Sequence, residues 1–320
     1  MNEKSFDFND LYIVDFVKSL GQKKNIFAVI YLVINALLIS LMMSMFEPNP
    51  WLCLLYGLLL YGLTATLALS PLGEWLFRKI NGCKKIEDPA VLKRMQPLFD
   101  EVKQAAKTRH PEMKIEPAIS LYICDNEGIN AFAMGRRTVC VTRGLLQLPD
   151  DQIKGILGHE FGHLATHDTD LTLLITVGNL IVSAIVTMIR IGVWLFDLMM
   201  RLASCFLGES GSFVELMASL STLITTVCIN GLMWVWTKLG ILLVMKSSRE
   251  AEYEADAFAC GLGYSDGLLN FFRWLASAED RAGQKDSSIF AALSASHPET
   301  TQRIARIETL PAASVPAIES

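Results

Sequence analysis

Two histidines four residues apart, with a glutamate directly after the first, carry the strongest chemical signal in the chain: Gly158-His159-Glu160-Phe161-Gly162-His163-Leu164. The segment from about Asp150 to Asp168 reads as a helix. It opens with Leu148-Pro149-Asp150-Asp151, a proline and two carboxylates that suit a helix N-terminus. A spacing of four puts His159 and His163 one turn apart on the same face, so both imidazoles can reach one metal ion. Glu160, next to the first of them, can hold a metal-bound water without ligating the ion. This is the arrangement of a zinc hydrolase, in which Zn2+ lowers the pKa of water and the carboxylate takes its proton. The same pattern arises in unrelated chains, so a third protein ligand is the deciding requirement.

Ser248-Arg249-Glu250-Ala251-Glu252-Tyr253-Glu254-Ala255-Asp256 supplies candidates. Glu252 and Asp256 are four apart and share a face of a second helix. One carboxylate can complete the metal sphere, and the other can accept the free N–H of a ligating imidazole and fix its tautomer. Glu250 and Glu254 lie on other faces and read as solvated. His167 follows His159 by eight, and three histidines at successive fours on one helix cannot converge tetrahedrally. It reads, with Asp168, as a helix-end residue.

These segments resemble the HtpX-type membrane zinc metalloproteases, gluzincins related to the CAAX prenyl proteases, which carry HExxH followed by SRxxExxAD. The likeness runs in order from about Leu121 to Ile307. It includes Asn130-Ala131-Phe132-Ala133, Val141-Thr142-Arg143-Gly144-Leu145-Leu146, and His297-Pro298 with Arg303. The resemblance implies a zincin-type α+β catalytic domain with one Zn2+ held by His159, His163 and Glu252, Glu160 as general base and Asp256 behind a ligand. It further implies that Asn130, Ala131, Phe132 and Ala133 present a substrate strand, and that His297 and Arg303 stabilise the oxyanion of the tetrahedral intermediate. A donor aimed at such an oxygen is worth about 2.7–4 kcal/mol. By the same resemblance the substrates are polypeptides, membrane proteins in quality control, and the location is a bacterial inner membrane. A CAAX-type processing peptidase is the nearest alternative, but it usually needs more spans and a large intramembrane chamber. A non-catalytic membrane scaffold with structural zinc is the other; it leaves Glu160 without a role, and structural sites tend to be closed and rich in cysteine.

The elements that must position these residues are largely apolar helices. The 320-residue chain has a mean hydropathy of +0.36, and its apolar residues cluster. A net charge of −5 gives no basic footprint for nucleic acid. Seven cysteines without a CxxC pair read as reduced thiols rather than a disulfide framework. Ile26 to Phe46 and Trp51 to Ser70 are each long enough, at about 1.5 Å per residue, to cross a hydrocarbon core about 30 Å thick. Leu171 to Phe196 and Leu216 to Met245 are two further runs. They carry Asn179, Arg190, Asn230 and Lys238, which should face a partner helix, a water-filled cavity or the bilayer edge. Lys18, Lys23 and Lys24 precede the first span, and Arg78, Lys79, Lys84 and Lys85 follow the second. The turn Glu47-Pro48-Asn49-Pro50 has no basic residue, which places both flanks and the site in the cytoplasm.

The expected fold is mainly α and integral to a lipid bilayer: four transmembrane helices plus a zincin-type α+β domain with a small antiparallel sheet. The expected organisation is a polar segment at 1–25, two spans at 26–70 and a first catalytic part at 71–170. A membrane-embedded hairpin at 171–245, a second catalytic part at 246–310 and a tail at 311–320 complete it. Within the first catalytic part, Pro89 to Arg109 reads as an amphipathic helix that Pro97 kinks or breaks. Ile119 to Cys124, Asn130 to Met134 and Thr138 to Thr142 read as its strands. Gln284 to Ser288 reads as a loop, and Ser296 to Leu310 as a last helix.

Overall fold

Thr-Val-Cys-Val-Thr, residues Thr138–Thr142, is buried at all five positions, so it needs cover on both faces and a neighbour on each edge. The computed structural model, which describes residues 12–19, 26–44, 46–111, 118–206, 211–282 and 300–310, supplies both. Strands β1 (Ser120–Cys124), β2 (Ala131–Met134) and β3 (Thr138–Thr142) form one sheet in the order β1-β3-β2. β2 is antiparallel to β3 across the Gly135 turn, where φ is 56°, whereas β1 runs parallel to β3. The expected antiparallel sheet is therefore corrected to a mixed one. A run of strands and turns suggests a meander, but β3 has no polar face to leave in water. It takes the centre, and the connection after β1 carries the chain past it.

The sheet separates two apolar layers. Leu121, Ile123, Ala131, Val139 and Val141 face a core shared with Phe99, Phe161, Phe258 and Leu268. Cys124, Met134 and Cys140 face a second core that contains Tyr12, Ala68, Phe77, Leu173 and Leu174. The first core is roofed by α5 (Pro89–Arg109), one helix despite Pro97 inside it, and by α6 (Asp150–Thr166) and α9 (Ser265–Ala282). Phe99 of α5 meets Phe161 of α6 with ring centroids 5.4 Å apart.

α6 ends at His167, which adopts φ 59°, and α7 (Asp168–Ser204) begins at once. α8 (Gly211–Gly261) then runs as one helix of 51 residues. The expected boundary at 245/246 falls inside it, with no break between the apolar stretch and the segment that carries Glu252. α6 and α8 touch through small residues: a Cβ built on Gly162 would lie 2.7 Å from Ala255 Cα, and one on Gly158 would lie 3.3 Å from Ala259 Cβ. This close approach brings the histidine face of one helix to the carboxylate face of the other. Gly162→Ala should therefore separate them and cost about 1–3 kcal/mol of overpacking strain. Thermal unfolding of purified protein should give a Tm lower than wild type by several degrees; an unchanged Tm would remove Gly162 as the reason for the close approach.

Among the described residues, three helices are long and apolar enough to cross a membrane: α3 (Pro50–Ala68), α7, and the Gly211–Trp236 portion of α8. The first expected span is shorter. α2 (Ile26–Met43) ends where the chain turns through Ser44 and Phe46 towards Pro50. α2 and α3 pack through Gly57, where a Cβ would collide with Ser40, a contact that small residues allow. The polar residues in these runs have partners. Tyr31 donates to Asn179 at 2.5 Å, Trp236 donates to Asn35, and Arg190 donates to Asn230 at 2.5 Å between α7 and α8. Lys238 is exposed on α8.

Below the sheet, α4 (Pro71–Ile80) buries Glu74, which is 1% exposed. Its carboxylate accepts from Tyr12 at 2.8 Å, from the Arg136 and Arg137 amides at 3.2 Å each, and from Thr138 at 2.5 Å. Arg136 pairs with buried Asp170 at 2.7 Å and lies over the Tyr12 ring. Tyr12 belongs to α1 (Tyr12–Ser19), a helix within the stretch read as merely polar and mixed. α10 (Thr300–Thr309) closes the described chain against α9 and α8.

Candidate metal centre

His159 and His163 project from α6 toward Glu252 on α8. Their Nε2 atoms are 3.2 Å apart; His159 Nε2 lies 3.4 Å from Glu252 Oε2, and His163 Nε2 lies 3.6 Å from Glu252 Oε1. All three ligand atoms fall within 4.8 Å of one another, the one such group among the described residues. Tetrahedral ligands at about 2.0–2.1 Å from a zinc ion are separated by about 3.3–3.4 Å along each edge. The observed separations, which run to both oxygens of the Glu252 carboxylate, are close to those edges, so two imidazoles and one carboxylate fit a zinc ion with a fourth position left over.

The ligands are held from behind. Asp256, one turn after Glu252, accepts from His159 Nδ1 at 2.9 Å, which leaves Nε2 free to ligate. Arg303 of α10 spans this shell: its Nε and NH2 reach both Asp256 oxygens at 2.8 and 2.6 Å, and NH1 lies 3.1 Å from Glu252 Oε2. The guanidinium stacks 4.2 Å from the Phe272 ring centre and is 4% exposed. Burial pushes the His159 imidazole down, but Asp256 and Glu252 outweigh it and hold it up at about 10, with Arg303 opposing them. Burial likewise raises Asp256, and its bonds from Arg303 and His159 more than reverse that, leaving it below the usual carboxylate range.

Arg303 thus sits between the Glu252 and Asp256 carboxylates, and the sequence pattern had no means of placing it there. Arg303→Lys should lose the two-pronged grip on Asp256, because an ammonium cannot replace a planar fork. Zinc affinity should fall by about 10–100-fold, as for other partners of ligands. Competition with a chromophoric chelator measures it, and unchanged affinity would sever Arg303 from the metal site. His297 lies outside the described residues, as does Gln284 to Ser288.

Glu160 is 6% exposed and accepts a 2.6 Å hydrogen bond from the amide of Ala133. That bond puts β2 alongside α6, on the sheet edge away from β3. In an antiparallel pair, alternate residues turn both backbone groups outward. Since the Ala133 amide points to Glu160, Ala131 and Ala133 line the free edge while Phe132 and Met134 face β3. Asn130 precedes the strand, exposed, with its amide on Thr142 at 2.9 Å. Sequence reasoning brought Asn130 to Ala133 near the site through resemblance alone; the Ala133–Glu160 contact is their physical link. His163 Nδ1 lies 3.8 Å from Asp168, which also accepts from Thr166 at 2.6 Å. His167 is outside the ligand triangle, at the kink between α6 and α7.

Residues 93–310 match the family profile described as Peptidase family M48. Among relatives, a "Protease HtpX homolog" of Bacillus licheniformis is 28% identical over 207 residues, which cover 60% of this chain and 63% of that protein. One of Bacillus velezensis is 27% identical over 279 residues, covering 80% and 85%. One of Methanopyrus kandleri is 33% identical over 173 residues, covering 52% and 44%.

Proposed function

The chain belongs to peptidase family M48, and from that premise we propose that it is a membrane-bound, zinc-dependent endopeptidase of the HtpX type. The observation that carries the reading is the His159–His163–Glu252 triangle with Glu160 beside it and a free strand edge alongside. Zinc, held by those three side chains, would supply a Lewis acid that makes water nucleophilic near neutral pH. Glu160 would take the proton of that water and deliver it to the leaving amine. An extended polypeptide would pair with the outward groups of Ala131 and Ala133, gaining affinity from its main chain with little demand on its sequence. Pairing there competes with the Ala133–Glu160 hydrogen bond, so a bound substrate would release the carboxylate as it docks. Asp256 and Arg303 would position the ligands, and His297 is our candidate for stabilising the oxyanion.

Membrane-protein quality control is our reading of the task from the resemblance to HtpX-type proteases, and the apolar helices support a lipid bilayer as the setting. The basic flanks at Lys18, Lys23 and Lys24 and at Arg78 and Lys79 favour a cytoplasmic site in a bacterial inner membrane. Purified protein should contain one zinc per chain and cleave casein. A chelator should abolish cleavage and added zinc restore it; cleavage that survives metal removal would overturn the mechanism. Sidedness is read with Asn49→Cys in a chain whose exposed Cys205 and Cys228 are replaced by Ser. A membrane-impermeant maleimide should label Cys at this position on intact cells, and protection there would invert the orientation.

A further inference from the structure

The turn between β2 and β3 is clamped by three other elements, through one buried carboxylate and one buried ion pair. Glu74 of α4 lies against Gly135, where a Cβ would collide with its carboxyl group. With φ at 56° as well, that position takes glycine on two counts. The Glu74 oxygens accept from the amides of Arg136 and Arg137 at 3.2 Å each, so the carboxylate fills the turn as an anion fills a backbone nest. Thr138 and Tyr12 also donate to it, at 2.5 and 2.8 Å. Arg78 pairs with it at 3.3 Å and reaches Thr138 at 2.8 Å. The second fastening is Arg136, which grips both Asp170 oxygens at 3.3 and 2.7 Å and reaches the Tyr12 carbonyl at 3.2 Å. Beside it, Thr169 donates to the Gly135 carbonyl at 2.5 Å.

Glu74 and Asp170 are each 1% exposed, and Arg136 is buried with them. A hairpin turn needs no charge to close, and apolar residues of similar volume often replace a buried ion pair without loss of stability. The cluster therefore calls for a use besides stability, and its location supplies one. Gly135 and Arg136 directly follow β2, whose Ala133 amide meets Glu160. Thr169 and Asp170 open α7, directly after the His167 kink that ends the histidine helix. α4 turns back sharply from the end of α3: Ser70 caps it, and a Cβ on Gly73 would collide with the Leu67 and Ala68 carbonyls. The end of the β2 edge is thus tied to the chain beside the metal ligands and to the foot of α3.

We propose that Glu74 and the Arg136–Asp170 pair are positioning residues, which fix the β2 edge at one distance and one register from the metal ligands. The proposal rests on the reading that an extended polypeptide pairs with Ala131 and Ala133. That pairing competes with the Ala133–Glu160 bond, so a substrate removes the tie between β2 and α6 as it docks. The hairpin is then kept from moving as a unit by its clamped turn. An added strand delivers its scissile carbonyl by register, and each residue of slip moves it by about 3.3 Å and turns the other side chains inward. A misplacement of about 1 Å can cost about 100-fold in rate. Long substrates, which draw affinity from the edge, depend on the clamp; short ones that reach only the metal do not.

The test uses the full, zinc-loaded chain in detergent with two fluorogenic substrates: a peptide long enough to pair with both Ala131 and Ala133, and a tripeptide amide that reaches only the metal. Glu74→Gln sets an amide NH2 against the N–H groups of the turn and should loosen it. Its loss of kcat/KM on the long peptide should exceed that on the tripeptide amide by about tenfold, and product masses should show cleavage spread to neighbouring bonds. Hydrogen exchange should quicken at Ala131–Met134 while α6 keeps wild-type protection, a readout that needs no turnover. Glu74→Asp, which keeps the carboxylate, should recover part of the difference. Arg136→Lys keeps the charge but not the fork, should shift the ratio the same way, and serves if Glu74→Gln does not fold. Equal losses on both substrates in a folded variant, with β2 exchange unchanged, would overturn the positioning role. A wild type without preference for the longer peptide would instead sink the pairing with β2, before any variant is compared.

Discussion

Glu160→Gln is expected to keep wild-type zinc content and to lose about 10²–10⁴-fold in peptide cleavage, the range for removal of a general acid–base. The substitution is nearly isosteric, and the Gln carbonyl can still accept from the Ala133 amide that now meets Glu160 at 2.6 Å. Strand placement and ligand geometry should therefore survive while the basic oxygen is gone. Metal analysis and casein cleavage on the same preparation separate the two effects. Cleavage close to wild-type rate with zinc bound would exclude Glu160 as the base.

Glu252→Ala should lose zinc outright, a larger effect than the Arg303→Lys change, because one corner of the ligand triangle disappears. It should also destabilise the chain, because Arg303 NH1 now lies 3.1 Å from that carboxylate in a buried setting and would keep only its Asp256 partner. Glu252→Gln is the milder companion, since it keeps the volume and an acceptor while weakening the ligand. Glu250→Ala, at an exposed position two residues earlier, should retain full zinc. Metal analysis is the readout, with circular dichroism to show that each variant folds. Full zinc in both Glu252 variants would break the assignment of the third ligand.

The local part of the site was legible in sequence and the long-range part was not. Spacings of four within one helix put His159 with His163, and Glu252 with Asp256, because helical periodicity is a short-range property. The sheet shows the opposite case. Alternation and turns located all three strands, but partner choice depended on how β3 is covered, which lies outside the strands themselves. Glu74, Arg136 and Asp170 carried no signal in the sequence, since a lone carboxylate or guanidinium is ordinarily solvated. Only the fold brings Tyr12, 62 positions away, to Glu74. Arg303 was singled out by resemblance, and its place among the ligand carboxylates came from the docking of α10.

The unbroken course of α8 gives the enzyme a lever. Trp236, within the apolar run, and Glu252 sit on one rod, separated by about 24 Å at roughly 1.5 Å per residue. A tilt of about 2° about Trp236 therefore swings the carboxylate by about 0.8 Å, against a tolerance of about 0.2 Å for metal–ligand distances. A thinner or laterally strained bilayer that tips the rod would loosen the carboxylate's hold on the ion without touching the water-exposed half of the molecule. With zinc at the proposed site, lipid thickness should then act as a mechanical input to its affinity, readable by titrating zinc in vesicles of graded acyl-chain length.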